Sequence, residues 1–129
     1  MVLDTSALLA LLLDEPEAEA YRVALEEDDT RLVSAATVLE TAIVIETRKG
    51  DAGGRELDLL LHKGEIAVVA VDADQVAEAR RAYRRFGRGR HAAGLNFGDV
   101  FAYALARSAG EPLLFKGEDF SKTDVSRVL

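Results

Sequence analysis

Met1-Val-Leu-Asp4-Thr-Ser6, followed without a break by Ala7-Leu-Leu-Ala-Leu-Leu-Leu13, opens the chain. It reads as a short apolar strand over 1–4, a polar turn in which Thr5 or Ser6 can act as cap, and a helix over 7–13. The same strand, turn and helix pattern recurs outward from this unit. Pro16, preceded by Asp14 and Glu15, fits the first position of a second helix running to residue 28, with both acids near its positive end. Residues 31–34 read as a second strand, and Ser34 caps a helix over 35–49 that Gly50 stops. Residues 51–62 form another helical stretch, ended near Gly64. The apolar, Val-rich run over 66–71 has the composition of a strand buried in a parallel sheet. Asp72 or Asp74 starts an arginine-bearing helix that the glycines at 87, 89 and 94 unravel. Asn96 caps a helix reaching Ser108 and closed by Gly110, residues 112–115 form a fourth strand, and 125–129 are placed to add an edge strand. Alternation of strand and helix from end to end implies a single α/β domain over 1–129, with a central parallel sheet flanked by helices on both faces.

Composition narrows the classes further. With 49% hydrophobic and 30% charged residues, the chain can bury a core, which disfavours disorder, and the absence of cysteine removes disulfides, thiolate chemistry and cysteine zinc sites. The longest apolar run, 7–13, is far short of the roughly 18 to 20 residues needed to cross a bilayer. Asp4 stands where a secretory leader would carry basic residues, so a cytoplasmic location is expected. The net charge of −7 hides a segregation: Arg80, Arg81, Arg84, Arg85, Arg88 and Arg90 lie within eleven acid-free positions. The rest of the chain carries 10 basic and 23 acidic residues, or −13. Such segregation can build an anion-binding stripe on an acidic protein.

Four acids stand out by position. Asp4 ends the first strand, and Asp119 lies in the loop after the fourth; in open α/β sheets the ligand crevice lies outside the carboxyl ends of strands. Glu40 shares a helical row with Ala36, Ile43 and Val44, which are expected to face the core. Asp99 shares one with Ala102, Tyr103 and Ala106. Each acid alone has a structural reading: Asp4 as a helix cap, Asp99 as a first-turn acid, Asp119 as a turn residue. Glu40 resists that reading, being well inside its helix with no basic neighbour on its row. Brought to about 5 Å at an effective dielectric of about 20, each ionised pair repels by roughly 3 kcal/mol, so a cluster must protonate or recruit a cation. An all-oxygen donor set suits Mg²⁺ or Mn²⁺, which can activate water and clamp a phosphodiester.

Taken together, Met1-Val-Leu-Asp4-Thr-Ser6, Ser34-Ala-Ala-Thr-Val-Leu-Glu40, Leu95-Asn-Phe-Gly-Asp99-Val-Phe-Ala-Tyr-Ala104 and Leu114-Phe-Lys-Gly-Glu-Asp119-Phe-Ser-Lys-Thr-Asp124 resemble the PIN domain, specifically the VapC-type toxins of toxin-antitoxin pairs. The resemblance runs in order over nearly the whole chain. It implies a Mg²⁺-dependent endoribonuclease with Asp4, Glu40, Asp99 and Asp119 as the catalytic, metal-holding quartet and Ser6 in support, Mn²⁺ substituting for Mg²⁺. It further implies a homodimer held inactive by a VapB-like antitoxin whose C-terminal segment wraps the toxin.

Arg80, Arg84 and Arg88 fall on one i, i+4 row and Arg81 and Arg85 on the next. That arrangement costs helix stability unless anions neutralise it, and an RNA backbone would do so. The plain alternative is a solvated face partnered by surface acids. Tyr83 and Phe86 read as core or dimer contacts. Three rival functions are a phosphatase using Asp4 as nucleophile, an RNA-processing nuclease of the same fold without an antitoxin, and a non-catalytic binding module. Haloacid-dehalogenase-type phosphatases want a second acid where this chain has Ser6. The processing nuclease differs by lacking an adjacent antitoxin gene.

Overall fold

The computed structural model describes residues 1–129. Strand β1 (Val2–Leu3) feeds helices α1 (Thr5–Leu12) and α2 (Ala18–Glu27), and β2 (Leu32–Ser34) feeds α3 (Ala35–Lys49) and α4 (Asp51–Lys63). Strand β3 (Ala67–Val69) then leads into α5 (Ala73–Phe86) and α6 (Phe97–Ala109), before β4 (Leu113–Leu114) and a 3₁₀ turn over Phe120–Lys122. All pairings are parallel, in the order β3-β2-β1-β4, with Val2 opposite Leu32 and Leu113 and Leu3 opposite Leu114.

Side chains alternate across the pleat, so neighbouring residues enter different cores. Val2 and Leu113 pack with Ala82, Phe86, Val100 and Tyr103 of α5 and α6. Leu3 and Leu114 pack with Leu8, Leu11, Tyr21 and Leu25 of α1 and α2. Full burial of each such aliphatic side chain contributes about 1.5–3 kcal/mol, which anchors the two central strands despite their length. The chain builds from β1 through β2 to β3 and then crosses to the other side of β1 for β4. The carboxyl ends of β1 and β4 therefore border the point where connections diverge to opposite sides of the sheet, the place where ligands bind in open α/β folds.

Several local expectations change. Asp4, not Thr5 or Ser6, caps α1: its Oδ2 accepts the Ser6 N–H at 3.0 Å. Pro16 sits in the turn before α2, which begins two residues later, at Ala18. The 66–71 run shortens to a three-residue strand at the edge of the sheet rather than inside it, and Val68 is 51% exposed. Ile66 is covered on the α1 and α2 side and Val69 on the α5 and α6 side, while Ala67 and Val68 stay exposed. Residues 125–129 form no strand; they contribute one parallel bridge, Arg127 to Leu113. Ser34, Asp72, Asn96 and Gly110 terminate their helices as the sequence implies, Gly110 adopting the left-handed backbone that ends α6. No helix is long and apolar enough to cross a membrane.

Candidate active site at the sheet switch point

Asp4 is fixed at three places. Its backbone N–H donates to the Leu114 carbonyl at 3.0 Å, tying it to β4. Its Oδ2 accepts from the Ser6 N–H and, at 2.6 Å, from the Ser6 hydroxyl. Ser6 Oγ in turn accepts the Lys116 N–H at 2.9 Å, so one hydroxyl joins the acid to the loop that carries Asp119. Asp4 Oδ1 is buried with no hydrogen-bond partner at all. Burial pushes the Asp4 carboxyl up, the two Ser6 bonds pull it down, and repulsion from Glu40 adds to the rise. A buried carboxylate oxygen without a donor is costly unless a cation meets it.

Glu40 sits mid-way along α3 and is half-buried. The expectation that its row faces the core is corrected. Thr37, Thr41 and Ile45 make the buried row, whereas Ile43 is 58% exposed and Glu40 opens into a groove between α3 and α6. Thr5 Oγ1 donates to Glu40 Oε1, and Thr41 Oγ1 reaches Thr5 Oγ1 at 3.5 Å, which steers the carboxylate toward Asp4. From the other side the first turn of α6 closes in. A Cβ on Gly98 would stand 1.9 Å from Glu40 Oε2, so only glycine lets the helix approach this closely.

Asp99 follows directly. It belongs to a capping box in which the Asp99 N–H donates to Asn96 Oδ1 at 2.9 Å and the Asn96 N–H donates to Asp99 Oδ2 at 3.0 Å. Its carboxyl is pushed up to about 6, chiefly by burial. The Asn96 bond opposes this, and repulsion from Asp4, Asp119 and Glu40 adds to it. Ala102, Tyr103 and Ala106 on its row are buried as expected. Asp119, exposed at the start of the 3₁₀ turn, is near enough to raise Asp99 electrostatically.

Asp99 thus lies close enough to Asp4, Glu40 and Asp119 to be raised by all three, and Asp4 close enough to Glu40 to be raised by it. As placed, no three stand together at ion-holding distance. The donor set nonetheless fits a hard divalent cation. It is all oxygen, one buried oxygen lacks a partner, Asp4 and Asp99 are raised by burial and by acidic neighbours, and no ion pair of the chain includes any of the four. Thr5 and Gly98 complete the arrangement, yet neither carries a signal in the linear pattern. A mid-helix acid followed some sixty residues later by Gly-Asp could have flagged Gly98 only with the packing known.

The arginines divide. Arg81 pairs with Glu78 at 2.5 Å and Arg85 with Asp124 at 3.1 Å, where the Tyr103 hydroxyl also donates to Asp124. That row is a partnered structural face. Arg80 and Arg84 are exposed, take part in no ion pair, and line an apolar groove between α5 and α6 with Tyr83 and Phe97. Arg88 does not extend their row, because α5 ends at Phe86 and Gly87 turns the chain into a bridge with Leu95. Phe86 is core and Tyr83 is 37% exposed.

With this geometry in place, comparison with known proteins gives a consistent picture. The PIN domain family matches residues 1–126. Ribonuclease VapC of Mycolicibacterium smegmatis is 62% identical over 128 residues, covering 99% of each chain. Ribonuclease VapC30 of Mycobacterium tuberculosis is 60% identical over 128 residues, covering 99% of this chain and 98% of the relative. Among solved structures, VapBC2 of Rickettsia felis bound to a promoter DNA fragment has a chain that superposes with a TM-score of 0.79 at 14% identity, over 98% of this chain and 94% of that one.

Proposed function

This chain belongs to the PIN domain family, and to the VapC group within it, and on that premise we propose that it is a divalent-metal-dependent endoribonuclease acting as the toxin of a toxin-antitoxin pair. The observation that carries the reading is the buried, unpartnered Asp4 Oδ1 at the sheet switch point, together with Asp99, which Asp4, Glu40 and Asp119 all raise; none of the four has an ion-pair partner. Mg²⁺, with Mn²⁺ as substitute, suits these donors. Such an ion, when bound, supplies water activation and a clamp on the phosphodiester.

What the chain itself does can be assigned residue by residue. Asp4 and Asp99 act chiefly as metal ligands, Asp4 held by Ser6 and Asp99 by the capping box. Glu40, oriented by Thr5, and Asp119, on the loop after β4, complete the cluster as ligands, orienting groups or proton acceptor for the attacking water. With its carboxyl raised to about 6, Asp99 would have to be ionised to hold the ion, so binding would weaken as pH falls through that value. Ser6 positions rather than reacts, since its hydroxyl hydrogen is committed to Asp4 and its oxygen to Lys116 N–H. A VapB-like antitoxin partner follows from the VapBC complex among the solved structures, and the apolar face of α3, α5 and α6 favours a homodimer.

Asp99→Asn keeps the side-chain volume and removes one negative donor. We expect RNA cleavage in Mg²⁺ to fall at least about a hundredfold, with growth arrest lost on expression and the fold retained. Co-expression of the neighbouring open reading frame is expected to relieve the arrest caused by the wild type. A folded variant that still cleaves and arrests removes Asp99 from the reaction. Cleavage without arrest, or arrest that no neighbouring gene relieves, favours an RNA-processing nuclease.

A further inference from the structure

Five of the chain's nine exposed large hydrophobic residues lie on one face: Leu39 and Ile43 of α3, Val76 and Tyr83 of α5, and Phe97 of α6. Phe97, 78% exposed, stacks edge-on against Phe101 at 5.0 Å, and the pair makes a ridge with an apolar groove on each side. The two grooves differ in charge. Arg80 and Arg84, without partners, rim the α5 side, whereas Glu40 opens into the α3 side, next to Asp4 and Asp99. A self-complementary face of this shape is suited to a second copy, the ridge of each protomer filling a groove of the other.

The charges decide the orientation. A two-fold axis lies in the plane of an isologous interface, so it runs either across the ridge or along it. Across the ridge, α5 meets the partner's α5 and α3 the partner's α3, which sets arginine against arginine and carboxylate against carboxylate. With the axis parallel to the ridge and displaced into the α5 groove, each ridge fills the partner's groove, α5 meets the partner's α3, and each positive edge faces a negative one. We propose that a second copy of this chain seats in the latter orientation, so that Arg80 and Arg84 of each protomer border the carboxylate crevice of the other and bind RNA phosphates entering it. The inference rests on the ribonuclease reading and adds to it that the site is composite.

A mixed dimer tests this directly. One chain carries Asp99→Asn, the other Arg80→Ala with Arg84→Ala, and differently tagged copies allow the mixed species to be purified. Each homodimer is expected to be impaired. The arginine variant should also show weaker RNA affinity and a flatter dependence on salt, because fewer counterions are released. In the mixed dimer the intact carboxylates of the arginine variant meet the intact arginines of the Asp99 variant. About half the wild-type rate per dimer is expected, one of two symmetric sites being whole. A mixed dimer no more active than its parents places the arginines in cis and overturns the proposal, as does a wild-type chain that is monomeric by light scattering. So does an arginine homodimer with wild-type cleavage and salt slope. A wild-type dimer that cleaves no RNA in Mg²⁺ or Mn²⁺ overturns instead the ribonuclease reading, and the role of the arginines with it.

Discussion

Asp4 and Asp99 show how a single carboxylate can weaken a fold while serving it. Each is withdrawn from water beside other carboxylates, and burial outweighs the hydrogen bonds that favour the charge. For Asp99 the folded value of about 6 lies above the ordinary 3.8, so the native state binds more protons than the unfolded chain between those limits. Stability from this group therefore falls as pH rises through that window and is regained on acidification. In a chelator, the wild type is expected to melt at a higher temperature near pH 5 than near pH 7, and Asp99→Asn is expected to lose much of that difference. Asp28, held low by the N-terminal amine and the Thr30 N–H, acts in the opposite sense but only below the ordinary carboxylate range. Equal pH dependence in the two proteins would show that Asp99 is not destabilised by its surroundings.

Helix α6 is the element on which the site turns. Its N-terminus carries the capping box that holds Asp99, its second residue is the glycine against which Glu40 packs, and its first residue is the exposed Phe97. Gly98 is thus a contact point between two helices rather than a flexible position. Gly98→Ala improves helix propensity by up to about 1 kcal/mol, but its methyl group occupies the place of the Glu40 carboxylate. Since Glu40 ends a flexible side chain, it can swing away at little cost in stability. The expected outcome is a melting temperature within a few degrees of wild type and a loss of RNA cleavage of tenfold or more, on the order seen for displaced supporting groups. Retained activity would mean that the Glu40 position seen here is not needed for the reaction.

At the scale of the whole molecule, folding itself creates a charge problem that a bound cation would resolve. The four acids are remote in the unfolded chain, and the other three come near Asp99 only when β1, α3, α6 and the loop after β4 assemble, so a divalent ion held by them would bind the native state in preference. Mg²⁺ or Mn²⁺ is expected to raise the thermal midpoint in differential scanning fluorimetry, by linkage about 2.7 kcal/mol of stability at a hundred times the dissociation constant. Asp4→Asn should reduce the shift. A folded wild type that gives no shift at millimolar concentrations of either ion would count against a metal site formed before substrate arrives.

The sequence by itself determined the alternation of elements, their caps and their parallel arrangement, because Ser34, Asp72, Asn96 and Gly110 act through backbone groups a few residues away. It also singled out Asp4, Glu40, Asp99 and Asp119, since an acid at a strand end or on an apolar row is a local anomaly. What it left undetermined depends on distance between elements. An apolar row predicts Glu40 turned to the core, but that row faces an open groove and the buried row holds two threonines. The apolar character of Val68 predicts an interior position, but β3 lies at the sheet edge because β4 crosses to the far side of β1. Which arginines stay free was likewise decided by Glu78 and Asp124 approaching only two of them. Local hydrogen bonds and periodicity are written along the chain, whereas burial, ion pairing and the fit of Gly98 to Glu40 exist only after helices from distant parts of the chain have packed together.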